Sequence, residues 1–559
     1  MTAEVETGVV IIGGGPTGLV LAIELGRRGV RTVLIDDKPD TAILPAANAT
    51  QARTMEHFRR LGLAEEIRAQ GLPADYPTDV TYWTRFARHE LARFELPSSS
   101  AARAMARDPS APWSAAELPH RCSQMYIERI LKRRAAALPS VTLRYGARLE
   151  AFADHQTHVG ARVRDLATGE VASYNARYLV GADGPRSFVR KQLGIVYGGE
   201  GGARRDFLGG QMLAIHIKAP GLYDFLGGRR AWMYWAFNPE RRAFMAALNG
   251  TDEFVFHTQL REEDGSEVSD ARAARMFCLA LGGEIEVEFL ARLTWRAGFT
   301  LVADKFAQGR VFMAGDAVHL FTPTGGLGYN TGVEDAVNLG WKLAAVLNGW
   351  AREGLLASYE SERRPVALRN TAFARRFADS VGLFTPDPCI EDDSAAGVAA
   401  RAAAGDYLNR HARAEFNIPG ITFGARYDTS PVIVADGSMA PADEANRYIA
   451  SACPGGRAPH LWLDDETSLY DRFGFEFTLL CMREAGPGPV AIEFQRAAAE
   501  RAIPLTVLAP GVGRLRELYE ADYALIRPDQ VVAWRGNAPV ADCAAILDVV
   551  CARTARAPA

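Results

Sequence analysis

Six residues near the start of the chain constrain its fold more than any others. Gly13, Gly14, Gly15, Pro16, Thr17 and Gly18 satisfy the spacing Gly-x-Gly-x-x-Gly directly after the apolar run Gly8 to Ile12. A helix is predicted over Leu19 to Gly29, and a second strand over Arg31 to Ile35 that ends at Asp36. In such a β-turn-α-β unit, Gly13 makes the tight turn, Gly15 lets a pyrophosphate approach the backbone, and Gly18 lets helix and strand pack closely. The phosphates sit at the helix N-terminus, where Pro16 and Thr17 lie and where free N–H groups and the helix dipole favour anions. Asp36 is placed to accept hydrogen bonds from a ribose diol. Its charge opposes a 2′-phosphate, so the unit predicts FAD or NAD rather than NADP.

A second segment repeats this physics. Gly315, Asp316, Ala317, Val318 and His319 follow an apolar strand, Arg310 to Ala314, and Pro323 to Asn330 opens a helix predicted over Gly332 to Asn348. An aspartate again ends a strand, and glycine amides again stand at a helix N-terminus, where they can face an electron-rich ring edge or an anionic oxygen. Asp316 can accept from a ribityl or ribose hydroxyl. Together the two segments predict a bound flavin, held noncovalently because no His or Cys stands at an evident attachment point.

At 559 residues the chain predicts two or three domains. Further β/α material follows the first unit: helices over Arg53 to Leu63 and Tyr126 to Leu138, strands at Thr142 to Tyr145 and Tyr178 to Gly181. Residues 205–300 read instead as antiparallel strands rich in aromatics, namely Met212 to Ile217, Ala231 to Phe237, Ala243 to Leu248 and Phe289 to Trp295. Helical pattern continues after Leu355. Pro386 to Asp406 has little periodicity and is expected to be a mobile connection. A last α/β pattern starts near Arg457, with strands Thr478 to Met482 and Pro504 to Leu508, a helix Val490 to Arg501, and a hairpin of Tyr523 to Arg527 with Val531 to Arg535. A net charge of −4 recruits neither nucleic acid nor an anionic membrane. Scattered cysteines without a CxxC pair, no metal-ligand spacing and no secretory or membrane-spanning segment predict a reduced, cytoplasmic protein without a metal site.

These motifs, in this order, give the chain its resemblance to the class A FAD-dependent aromatic hydroxylases, the para-hydroxybenzoate hydroxylase superfamily. It is most similar to the larger phenol and polyketide hydroxylases. The resemblance rests on Gly13–Gly18, on Asp183-Gly184 within Leu179–Arg186, on Gly315–Asn330, and on the runs Asp335–Leu343 and Ser358–Val366. It implies an α/β fold: a Rossmann-type FAD domain (1–200 with 300–385) interleaved with an antiparallel substrate-binding sheet (201–299), a connecting segment (386–455) and a thioredoxin-like domain (456–559). It also implies roles. Asp183 and Gly184 lie near the pyrophosphate and the transient NAD(P)H site, Asp316 bonds the ribityl chain, and Gly326, Leu327, Gly328, Tyr329 and Asn330 line the isoalloxazine edge. Gln124 and Arg53 match positions near the cofactor. The chain departs from its relatives at Pro45-Ala46-Ala47, where they usually carry Pro-Arg-Ala, and at Asp37, where a basic residue is common.

The implied chemistry is hydroxylation of an aromatic, phenolic or polyketide-like substrate with NAD(P)H and O2 through a flavin hydroperoxide. That chemistry needs a dry, apolar pocket and no metal. His216, Tyr234, Trp235 and Pro323 are the candidate pocket residues, with Phe207, Met212, Trp232, Phe244 and Met245 as further lining. His319 is read as structural. Oxidative decarboxylation, Baeyer–Villiger-type insertion and flavin binding without turnover remain open on the same scaffold. The halogenase Trp-x-Trp-x-Ile-Pro segment is not matched by Trp232 to Trp235. Cys481 stands without a partner cysteine, so the last domain is expected to serve packing or a homodimer contact rather than disulfide exchange.

Overall fold

The computed structural model describes residues 4–108, 113, 115–202, 207–261, 264, 268–484, 486–538, 540 and 542–554. Its centre is a sheet whose parallel strands run Val311–Met313, Val171–Gly181, Glu4–Ile12, Thr32–Asp36 and Val141–Tyr145 in spatial order. Val9, Val10 and Ile11 are completely buried, as expected of a strand covered on both faces. The first helix spans Pro16–Gly26, three residues earlier than the sequence reading at both ends. Pro16 occupies the first helical turn, where its missing N–H is no loss and its fixed φ suits the helix. Gly29, at φ +73°, lies past the helix end.

A second sheet is ordered Glu288–Ala297, Gly210–Lys218, Glu253–Gln259, Arg242–Ala247, Met233–Phe237, Val80–Trp83 and Glu90–Phe94. Its neighbours are antiparallel except Met233–Phe237 against Val80–Trp83. The last two strands come from within the first two hundred residues and escaped the sequence reading, which placed this sheet in 201–299 alone. The segment expected to be a mobile connection also differs. Ser394 caps a helix over Ala395–Phe416, accepting from the Gly397 N–H at 3.1 Å. Its alanines favour helix, and Leu408 and Ala412 bury against the second sheet.

The C-terminal sheet is ordered Leu505–Leu508, Phe477–Cys481, Tyr523–Ile526 and Val532–Gly536, one parallel pair followed by antiparallel ones, with the helices Gly488–Glu500 and Cys543–Val550 packed together. This is the thioredoxin-like arrangement without its redox centre. All seven cysteines are free, and burial pushes the Cys481 thiol up to about 11. Among the described residues no helix is long and apolar enough to cross a membrane, and no cluster of metal-ligand type is present.

Candidate active site

The four strand ends that carry the motifs stand side by side. Register pairs Ile12 with Ile35 and Gly181, and Gly181 with Met313. Asp36, Gly13, Asp183 and Gly315 therefore follow the C-terminal ends of neighbouring parallel strands, where open α/β sheets bind their ligands.

Each fingerprint glycine has a measurable reason. Gly13 has φ +112°, and a Cβ there would meet the Ala182 carbonyl at 2.1 Å. A Cβ on Gly18 would meet the Gly13 carbonyl at 1.9 Å. Around Gly15 the space is open, with no protein atom within 4 Å of an added Cβ. Two glycines thus serve the fold, while the third leaves a cradle that protein atoms do not fill. Thr17 joins the two motifs: its Oγ1 lies 2.7 Å from a Cβ built on Gly315 and 2.6 Å from one built on Gly332.

The carboxylates behave differently from one another. Asp36 accepts from the Gly14 N–H at 2.6 Å and the Lys38 N–H at 2.8 Å, which holds the turn. Asp183 accepts from Ser187 Oγ at 2.6 Å and the Val189 N–H at 3.1 Å, so it caps the turn after its strand. Asp316 is exposed at the crevice and its carboxylate has no hydrogen-bond partner among the described residues. Desolvation by the surrounding walls raises its pKa, opposed by His319. Its carboxylate is thus open to accept from a ligand hydroxyl. The Asp316→Ala variant is expected to fold normally but to hold FAD about 1.5–3 kcal/mol less tightly, the worth of a bond to a charged group; fluorescence titration of the flavin-free protein measures this.

The turn Pro323–Asn330 is held from behind. Asn330 accepts from the Gln51 N–H at 2.8 Å and donates to the carbonyls of Ala49 and Gly326 at 2.9 and 2.5 Å. Gln51 donates to the Gly325 carbonyl, and Glu415 accepts from the Gly325 N–H, each at 2.8 Å. Gly326, at φ +63°, caps the helix Leu327–Leu347, which starts earlier than predicted because glycine fits that left-handed position. Pro323 and Gly326 are exposed, and Gly328 and Tyr329 half-buried. Gln124 opens the helix Gln124–Ala136, and its amide donates to Glu128 at 2.7 Å. His319 bonds Asp335 at 2.6 Å in a fully buried network with Arg363, in keeping with a structural role.

Two of the sequence candidates have other partners in the structure. Arg53 was expected near the flavin. Its guanidinium instead donates to Glu56, to Gln530 and to the Asp529 carbonyl, which ties it to the C-terminal domain. Tyr234 was a pocket candidate. Register places it with Met245, Phe256 and Ile215 on one face of the second sheet, the face covered by Phe86 and the helix Asp270–Leu281. Its hydroxyl donates to the Arg229 carbonyl and accepts from the Ala231 N–H.

The opposite face carries Tyr82, Trp235, Phe244 and His257 in one cross-strand row. Phe244 stacks on His257 at 4.4 Å and lies tilted against Trp235 at 4.9 Å. Met125 and Tyr126, beside Gln124, pack on Ala246 and Val255 of this face, so it looks toward the FAD domain. His216 shares the face but bonds Glu253 at 3.0 Å, away from the aromatic row. His257, Tyr82 and Glu415 were not singled out from sequence. Alternation along Glu253–Gln259 was the signal for His257; nothing local marks the other two. A groove of about 750 Å³ lined by Tyr178, Arg310, Glu353 and Arg364 lies toward the opposite, N-terminal strand ends, and its Arg310 is paired with Glu353.

Residues 6–374 match the FAD binding domain family, and residues 451–557 match the aromatic-ring hydroxylase C-terminal family. The chain belongs to the FAD-dependent aromatic-ring hydroxylases. The hydroxylase is 31% identical to 2,4-dichlorophenol 6-monooxygenase of Cupriavidus pinatubonensis, over 97% of this chain and 95% of that protein. It is also 31% identical to aklavinone 12-hydroxylase RdmE of Streptomyces purpurascens, over 98% of both chains. Among solved structures, RebC with bound 7-carboxy-K252c superposes with a TM-score of 0.87 at 35% identity, covering 98% of this chain and 99% of that one. The hydroxylase is an FAD enzyme with NAD(P)H as its reductant, acting on an aromatic substrate.

Proposed function

We propose that the hydroxylase adds one oxygen atom from dioxygen to an electron-rich ring, phenolic or polyketide-like, held between the aromatic sheet face and the Pro323–Asn330 turn. The reaction balances as arene, O2, NAD(P)H and a proton giving hydroxyarene, water and NAD(P)+. FAD, when bound, supplies hydride acceptance and the reaction of the reduced ring with dioxygen. The observation that carries the reading is the aromatic row on the sheet face that packs on Met125 and Tyr126, beside Gln124. Tyr82, Trp235, Phe244 and His257 offer flat, apolar surface on which a substrate ring can stack and from which water is excluded.

The protein's own groups set the geometry. Glu415 and Asn330 fix the turn by its backbone, so the cofactor edge and the sheet face keep a constant separation. His257 is buried among rings, and burial lowers its pKa to about 3, so at neutral pH it is an uncharged imidazole. A neutral imidazole can accept a hydrogen bond from a phenol hydroxyl and so orient it, while so low a pKa keeps it from taking the proton outright. The relatives named above act on chlorophenol and aklavinone according to their names, and both are ring substrates of this kind.

NAD(P)H oxidation by the FAD-loaded enzyme is expected to be slow alone and to accelerate when a phenol or naphthol is bound, with a product carrying one added oxygen atom. Stopped-flow flavin reduction and product mass measure the two parts. Equal reduction rates together with no oxygenated product across a panel of phenols and polycyclic phenols refute the reading.

A further inference from the structure

Arg121 has a setting unlike that of the other buried arginines. It belongs to the short strand His120–Arg121, which pairs with Ala49–Thr50 so that Arg121 lies opposite Ala49. Paired residues in an antiparallel ladder project to the same side. Ala49 faces the flavin turn: a Cβ built on Gly326 would stand 2.9 Å from the Ala49 Cβ. The Arg121 side chain therefore leaves its strand on the side of that turn. Its guanidinium lies 4.0 Å over the ring of Trp232, the residue before the sheet strand Met233–Phe237. Trp232 in turn meets Phe416 edge-on, next to the Glu415 that holds Gly325. Arg121 thus stands where the first domain, the second sheet and the flavin turn converge.

Arg121 is only 8% exposed, and among the described residues its guanidinium has neither a hydrogen-bond acceptor nor an ion pair. Arg53, Arg68, Arg241, Arg363, Arg457 and Arg527 are buried to a similar degree, and each has a carboxylate partner. Burial alone lowers the Arg121 pKa, to about 10, so it still carries its charge at neutral pH. Stacking on an indole offsets only part of what it costs to leave a buried charge unpaired. Its nitrogen atoms are not among the sealed polar atoms of the core, so the guanidinium keeps a small open face. A fold that only needed to fill this volume would do better with methionine. A site that waits for an anion would keep the arginine and accept lower stability.

We propose that Arg121 anchors a carboxylate, or an equally acidic oxygen anion, carried by the aromatic substrate; this rests on the hydroxylase reading above. The planar guanidinium offers two parallel N–H donors to such a group while its face stays on Trp232. The anion fixes one end of the substrate, and the ring extends from it along the aromatic row. Arg121 is then a specificity-determining residue that selects acidic rings over neutral rings of the same shape.

The test compares FAD-loaded wild type, Arg121→Met and Arg121→Lys with two probes, a hydroxynaphthoate and the matching naphthol, followed by the change in flavin absorbance. Wild type is expected to bind the hydroxynaphthoate at least about tenfold more tightly. Arg121→Met is expected to lose that preference while retaining FAD and naphthol binding, and Arg121→Lys to keep part of it. Without probe, Arg121→Met is expected to melt at a higher temperature than wild type, because an uncompensated charge has gone. A preference that survives in Arg121→Met, or equal binding of both probes by wild type, overturns the assignment and leaves the hydroxylase reading intact. Loss of FAD from Arg121→Met overturns it too, since the cofactor would then be the counter-charge. If neither probe perturbs the flavin, the aromatic pocket itself is refuted, and Arg121 with it.

Discussion

Replacing Glu362 with alanine is expected to destabilise the protein by about 3–5 kcal/mol, the usual cost of leaving buried charges unpaired. Glu362 is completely buried in the helix Gly354–Gly382. One carboxylate oxygen accepts from Arg527 at 2.7 Å and Ser430 at 2.6 Å. The other accepts from Arg527 at 2.8 Å, Lys342 at 2.6 Å and Asn338 at 2.7 Å. Arg527 also pairs with Asp529. The cluster is balanced, two cations against two anions, and removing Glu362 leaves two cations facing one. Because Lys342 and Asn338 lie in the helix that Gly326 caps, while Arg527 and Asp529 lie in the C-terminal hairpin turn, the loss would loosen the thioredoxin-like domain and the flavin turn together. Denaturant unfolding, with limited proteolysis to detect release of the C-terminal domain, measures both effects. Removing Glu362 and Lys342 together, each to leucine, should be milder than Glu362→Ala, because charge balance returns. If the single variant unfolds like wild type, the cluster is not the bolt described here.

This network also shows where sequence reading stops. The glycine motifs were legible because each glycine answers a local need: Gly13 and Gly18 avoid backbone collisions, and Gly15 leaves space for a ligand. The aromatic sheet was legible through alternation, but its two faces were not. Tyr234 and Trp235 are neighbours in sequence, and only the register with Phe244 and Met245 decides which of them looks toward the flavin motifs. Arg53 matches a family pattern, but its partners, Gln530 and the Asp529 carbonyl, lie more than four hundred residues away and could not be read from it. Glu415 was invisible for the same reason. It supports Gly325 from the end of a helix whose first part, up to Asp406, was expected to be a mobile connection. Long-range polar pairing carries no periodicity, so it leaves no trace that a single sequence can reveal.

Acidification should destabilise the protein before its carboxylates titrate, and buried histidines are the cause. Burial, with nearby arginines at most of them, holds His57 well below its ordinary pKa of 6.5, His120 at about 4, and His257 and His460 at about 3. Below pH 6.5 the unfolded chain binds protons at these sites while the folded chain does not. The stability they leave intact at neutral pH is therefore lost as pH falls from 6.5 toward 4, by about 2 kcal/mol per histidine at pH 5. Glu128, Asp183 and Glu476 oppose the trend, because burial raises their pKa values and the folded state takes up their protons first. The depressed carboxylates Glu56, Asp335 and Glu362 add to the loss only below about pH 4.5. Comparing wild type with His460→Gln separates the histidine contribution from the rest. His460 bonds Ser468 at 2.9 Å in the C-terminal domain, far in sequence from the flavin motifs, and glutamine keeps a polar group there. Between pH 7 and pH 5 the variant should lose about 2 kcal/mol less than wild type in denaturant unfolding. Parallel stability curves for the two proteins across that interval would show that His460 is not held neutral by burial, and that acid sensitivity arises elsewhere.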